Sequence, residues 1–197
     1  GMDTVFGFVG TDYALLVADQ DVARSIMVLS SEREKIKRID DHKAIAFSGD
    51  VGDCENFGEF LLKNMDFYRI SNGYSLSTSA AASFVRHELA TAIRKNPVSV
   101  NVLIAGWDEK DGISLHYIDY LGAATTTSKA AHGYAAHFIL GLMDRNFKPD
   151  LSYEEGLDLA QKCVGVLRKR FLIAQRKFTA LVVRADGIEA VDLGLNV

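Results

Sequence analysis

Extended and helical patterns alternate in blocks along this sequence, and the helices arrive in adjacent pairs, which limits the possible folds more than anything else in it. Runs rich in β-branched and aromatic side chains predict strands over 5–10 and 13–19, joined at the short turn Thr11-Asp12, and a shorter strand over 25–29. Another pair is predicted over 35–39 and 43–48, turned through Asp40-Asp41-His42. Apolar residues then recur three and four apart at Val51, Cys54, Phe57, Phe60, Leu61, Met65 and Tyr68. That spacing predicts a helix over 50–68, ended by Ser71-Asn72-Gly73. A second helix, capped by Ser77 or Ser79, carries Ala81, Phe84, Val85, Leu89, Ala92 and Ile93 on one face and stops at Asn96-Pro97.

Strands are expected again over 98–107 and 113–120, separated by a polar turn. A third helix is predicted over 133–147, and a fourth runs from the capping box Ser152 and Glu155 to about residue 170. Residues 177–184 and 188–193 close as a hairpin across Ala185-Asp186-Gly187. Two helices in succession cannot each be the crossover of a right-handed βαβ unit, so a doubly wound parallel sheet is disfavoured. Two helix pairs and two groups of mostly antiparallel strands instead predict an α+β fold in layers, each pair covering one sheet.

The bulk properties suit one domain spanning 1–197: 48% of the residues are hydrophobic, 24% charged, and the two prolines are Pro97 and Pro149. Mean hydropathy is slightly positive, which points to apolar surface buried against partners. A net charge of −4 with no face-wide basic excess argues against a nucleic-acid partner. No apolar run is long enough to span a membrane, and no secretory signal is recognisable. Gly1 ahead of Met2 reads as a tag remnant, with Met2 the expected native start and no leader to remove. His42, His87, His116, His132 and His137 show no metal-ligand spacing, so neither metal nor cofactor is expected. Cys54 and Cys163 lack motif spacing and read as reduced thiols of a cytosolic protein.

Several strings then occur in one order. They are Ala18-Asp19, Lys35, Phe47-Ser48-Gly49-Asp50-Val51-Gly52-Asp53, Gly73-Tyr74-Ser75-Leu76-Ser77, and residues 101–108. Tyr117-Ile118-Asp119-Tyr120-Leu121-Gly122, Ala131-His132-Gly133-Tyr134 and Asp186-Gly187-Ile188 follow. Together they resemble the proteasome β-type subunits over essentially the whole chain, and within them a subtype that carries no catalytic threonine. The resemblance implies a four-layer αββα sandwich, the N-terminal-nucleophile hydrolase fold.

Catalytic members of that family attack the peptide carbonyl with an N-terminal threonine, its own α-amine serving as general base. A lysine held by an aspartate favours the deprotonated nucleophile, and a glycine N–H is the oxyanion donor. The resemblance places these accessory roles on Lys35, Asp19 and Gly49. The nucleophile position falls on Asp3, a carboxylate with residues still ahead of it. Thr4 follows, but a one-residue shift along a strand turns a side chain to the opposite face. The family's serine beside the nucleophile corresponds to His132, and its later aspartate and serine fall near Arg170 and Ile173.

Gly10-Thr11 is the only Gly–Thr bond, and cleavage there would discard the first strand. The run Thr125-Thr126-Thr127 reads as a threonine-rich strand or loop. Arg168-Lys169-Arg170 complements the dipole at a helix C-terminus. The implied role is a non-catalytic subunit of a seven-membered β ring, stacked on a second such ring and capped by α-type rings, in cytoplasm and nucleus. Its partners would be other α- and β-type subunits, with protein substrates reached through the complex. The alternative is a self-sufficient N-terminal-nucleophile hydrolase, which needs a free N-terminal Thr, Ser or Cys beside Lys35.

Overall fold

A computed structural model describes residues 3–21, 34–170 and 176–193. The strands are β1 Thr4–Val9, β2 Tyr13–Asp21, β3 Ile36–Asp40, β4 Lys43–Gly49, β5 Val100–Asp108, β6 Gly112–Ile118, β7 Ala124–Thr127, β8 Lys129–Gly133, β9 Arg176–Arg184 and β10 Gly187–Val191. The helices are α1 Val51–Asn72, α2 Thr78–Lys95, α3 Ala136–Asn146 and α4 Tyr153–Arg170. The strand expected over 25–29, like Gly1 and Ile173, lies outside the described residues.

Two five-stranded sheets form, in the orders β10-β9-β2-β1-β8 and β3-β4-β5-β6-β7. Neighbouring strands in both are antiparallel. Strand periodicity sorts the core into three apolar layers. On β1 and β2, Phe6, Phe8, Leu15 and Val17 face α3 and α4, meeting Ile139, Met143, Val164 and Leu167. The alternate residues Val5, Ala14, Leu16 and Ala18 meet Ala44, Ala46, Leu103 and Leu115 of the second sheet. On the far side of that sheet, Ile45, Phe47 and Ile104 receive Leu61 and Met65 of α1 and Val85 and Leu89 of α2. The expected layering, with one helix pair on each sheet, is what forms.

Local chemistry sets the helix ends. Asp50 caps α1 by accepting the Asp53 N–H at 3.0 Å. Gly73, at φ 77°, closes it with an N–H to the Arg69 carbonyl, at the stop expected from Ser71-Asn72-Gly73. Ser77 caps α2, and Ser152 and Glu155 exchange both bonds of the capping box at 3.2 Å.

The start of the third helix is a correction. The expected helix runs from 133, whereas α3 begins at Ala136; Lys129–Gly133 form β8, and the sequence assigns no element to residues 129–132. The alanines of this stretch suit a helix locally. Pairing with β1, Val5 opposite His132 and Phe6 opposite Ala131, overrides that preference. Residues 124–127 are likewise a strand, β7, paired with β6.

Candidate functional site at the open end of the two sheets

Asp3 immediately precedes β1 in the first sheet, and its side chain crosses to the second. The carboxylate accepts the Ser48 hydroxyl on Oδ1 and the Gly49 N–H on Oδ2, both at 3.2 Å. Alternation along β1 places Asp3 on the face of Val5, toward the other sheet. Thr4 is on the face of Phe6, toward the helices. Thr4 is buried, and its backbone N–H donates to Asp19 Oδ1 at 2.9 Å.

Asp19, 1% exposed, also receives the Lys35 ammonium on Oδ1 at 2.5 Å. The same ammonium stands 3.7 Å from Asp3 Oδ2. Lys35 is thus held between two carboxylates, one buried and one at the mouth. The structure brings together Asp3, Asp19, Lys35 and Gly49, the residues that the sequence grouped.

His132, on β8, stands opposite Val5 of β1. It is buried, its Nε2 lies 2.9 Å from the Val102 carbonyl, and its ring stacks on Tyr117 at 4.2 Å between centroids. Burial holds its pKa below the ordinary histidine range, partly offset by the bond to Val102 and the carboxylates of Asp119 and Asp3. Arg170 ends α4 with its guanidinium over the Phe138 ring, not at the site.

Sequence reading passed over two backbone devices. Gly49 has φ 140°, and a Cβ there would meet the Ser99 carbonyl oxygen at 2.1 Å. Only glycine lets this N–H turn toward Asp3 at this crossing. Gly133, at φ 104°, plays the same part on β8: a Cβ would lie 2.0 Å from the Asp3 carbonyl oxygen. That carbonyl accepts the Tyr134 N–H at 3.0 Å. Their positions inside the quoted strings Phe47-Ser48-Gly49 and His132-Gly133-Tyr134 were the available signal.

A cleft of about 480 Å³ opens beside Asp3, lined among others by Gly49, Asp50, Asp53, Asn101 and Tyr134. Its acidic groups are engaged: Asp50 caps α1, and Asp53 Oδ2 accepts the Ser99 N–H at 2.8 Å. Cys54 lies partly buried on the first turn of α1. Burial, then the charges of Asp3 and Asp50, push its thiol up to about 12, so it stays protonated. Among the described residues no group of three or more His, Cys, Asp or Glu side chains could hold a metal ion, and no helix is long and apolar enough to cross a membrane.

Two antiparallel sheets between helix pairs, with a lysine–aspartate pair and a glycine N–H at the head of the first strand, define the N-terminal-nucleophile class of sandwich. The family model for the proteasome subunit matches residues 1–183. Proteasome subunit beta type-2-B of Arabidopsis thaliana is 45% identical over 186 residues, 94% of each chain. Proteasome subunit beta type-2 of Dictyostelium discoideum is 42% identical over 193 residues, covering 96% of this chain and 97% of that one. Proteasome subunit beta type-4 of Saccharomyces cerevisiae is 38% identical over 193 residues, covering 97% and 98%. The chain belongs to the proteasome subunit family, among the β-type subunits; its similarity to type-2 and type-4 members agrees with the β-type 2 subtype that Gly73-Tyr74-Ser75-Leu76-Ser77, Ile118-Asp119-Tyr120-Leu121 and Ala131-His132-Gly133-Tyr134 resemble.

Proposed function

We propose that this chain is a non-catalytic member of the β ring of the core proteasome, serving assembly and the wall of the proteolytic chamber. One observation carries the reading: the Asp3 carboxylate fills the space before the Gly49 N–H, where a catalytic relative holds its threonine and the developing oxyanion. A carboxylate in that place is anionic and already bonded to the donor. It neither attacks a carbonyl nor leaves the donor free for a tetrahedral intermediate. Asp19 and Lys35 then act as a retained ion pair, and His132 as a packed core residue. Asp3, Asp19, Lys35, Gly49 and His132 are the vestige of a site.

In this reading residues 1–197 act as one domain in a seven-membered ring, in cytoplasm and nucleus. Its partners are other α- and β-type subunits, and protein substrates are met only through the complex. Neither nucleic acid, membrane, metal nor cofactor enters. A self-sufficient hydrolase would need Thr4 as a free N-terminal nucleophile, whereas Thr4 lies in β1 with its side chain on the helix face. Native mass spectrometry of the purified particle is the test, combined with mapping of a threonine-directed covalent inhibitor. Incorporation of this chain without an adduct supports the proposal; an adduct on Thr4 or Thr11 overturns the non-catalytic part.

A further inference from the structure

The sheet edges of this molecule are not equally protected. Unpaired edges are commonly guarded by charges, bulges or cover. Of the four edge strands, β3 carries Lys37, Arg38 and Asp40 and an irregular register between the last two. The edge strand β8 carries Lys129, which pairs with Asp144 at 2.9 Å, and β10 carries Glu189. The fourth, β7, is Ala124-Thr125-Thr126-Thr127: uncharged, unbulged, strand-favouring, and exposed over its first three residues. Among the described residues it pairs only with β6.

The loop leading into β7 adds a second observation. Tyr120 is 49% and Leu121 56% exposed, yet the loop that bears them is held from all sides. Asp119 Oδ1 accepts the N–H of Leu121 at 2.9 Å and of Ala123 at 3.0 Å. The Tyr120 N–H donates to Asn101. Gly122, at φ 81°, rests against Ala90 of α2. A loop this constrained displays its two apolar side chains at little further ordering cost when they are covered, as a preorganised binding surface does.

The ladder fixes which edge groups are on offer. Asp119 N–H bonds the Ala123 carbonyl, and bonding alternates along an antiparallel pair. Thr125 and Thr127 therefore turn their backbone groups toward β6, and Ala124 and Thr126 turn theirs outward.

From these two features together we infer that the Tyr120–Leu121 loop and the outer edge of β7 form a docking ledge for an extended segment of a neighbouring proteasome subunit. The inference rests on the assembly role proposed above. An alternating row of N–H and C=O groups, once shielded from water, is matched by another extended backbone, and family membership supplies polypeptide neighbours. The lack of charge on the ledge calls for an uncharged, partly apolar segment that covers Leu121.

The test uses the full chain reconstituted with the other subunits of its core particle. Leu121→Asp removes the apolar contact. Ala124→Pro removes one outward N–H without touching the bonds to β6, at a strand start where proline is tolerated. Both variants are expected to keep the melting temperature of the free wild-type chain and to enter the particle at least tenfold less. Hydrogen exchange at Ala124 and Thr126 is expected to slow at least tenfold in the wild-type particle relative to the free chain. Failure of the wild-type chain itself to incorporate overturns the assembly role, and this inference with it. Normal incorporation of both variants, or unchanged exchange at the two amides in an assembled particle, overturns the docking ledge alone. If either variant melts early, the exchange measurement on the wild-type chain decides.

Discussion

Lys35 and Asp19 meet at 2.5 Å across the two sheets, the carboxylate buried and the ammonium half-shielded. The oxygen that takes the lysine also takes the Thr4 N–H, so the pair fixes where β1 begins relative to β3. Removing the cation leaves Asp19 charged and desolvated. Lys35→Ala is therefore expected to destabilise the chain by about 3 kcal/mol, read as a fall in denaturation midpoint. Assembled particles that contain the variant should retain each peptidase activity. Selective loss of one activity at normal particle yield would contradict the structural role.

Asp3 and Thr4 bear on chemistry. With Asp3 bonded to Ser48 and Gly49 and Thr4 buried within β1, the purified chain should not turn over peptidyl fluorogenic substrates. Mass spectrometry after treatment with a threonine-directed covalent inhibitor should find unmodified peptides around Thr4 and Thr11.

Two buried histidines give the chain a defined pH response. Burial lowers the pKa of His132 and of His116 below the ordinary value, about 6.5 in an unfolded chain. His116 lies between the hydroxyls of Ser114 and Thr126, at 3.2 and 3.3 Å. A histidine depressed in the folded state binds its proton more readily when unfolded. Its contribution is intact above about pH 6.5 and is lost as pH falls below that value toward the folded pKa. Stability of the free chain should fall between pH 7 and 5.5, by at most about 1.4 kcal/mol per pH unit for each histidine. His132→Gln should flatten that slope, whatever it does to stability at neutral pH.

The parts of the fold that follow from local chemistry were legible in the sequence. The caps at Ser77 and Ser152, the stop at Gly73 and the β-rich runs of β1, β2 and β4 each have a residue-level cause. What was missed depends on distant partners. The alanines of β8 become a strand only because β1 lies beside them, and Gly133 is needed only because Asp3 passes within contact. The grouping of Asp3, Asp19, Lys35 and Gly49 came from resemblance, since these residues are far apart in the chain. That Asp3 takes up the Gly49 N–H is a geometric fact that no spacing encodes. Aromatic residues divided in the same way. The aromatic surplus of the first and third helices, Phe57, Phe60, Phe67 and Tyr68, and Tyr134, Phe138 and Phe147, exceeds what one helix face needs and points to interface groups. That surplus could not tell that Arg170 covers Phe138 and Lys129 covers Phe147, or that Tyr134 precedes α3.

The outer face of α1 also leaves apolar surface uncovered. Phe60, Phe67, Ile70 and Tyr74 are 43%, 71%, 75% and 61% exposed, and their spacing keeps them along one side of the helix and its cap. Phe57 is half-buried and packs on the core beneath, so charging it would mix folding with binding. Phe67 separates the two. Its side chain contributes little to the free subunit, and surface substitutions of this kind usually change stability by less than about 0.5 kcal/mol. A carboxylate at the centre of an aromatic stripe would, however, be desolvated by any neighbour that covers it, at a cost of several kcal/mol. Phe67→Glu should therefore leave expression and melting temperature of the free chain unchanged while sharply reducing its share in assembled particles. Lys63→Glu, on the same helix, 73% exposed and paired only with Glu59 among the bonds observed, serves as a charge control and should reduce incorporation less. Equal incorporation of Phe67→Glu and wild type would place the subunit contacts on other faces of the molecule.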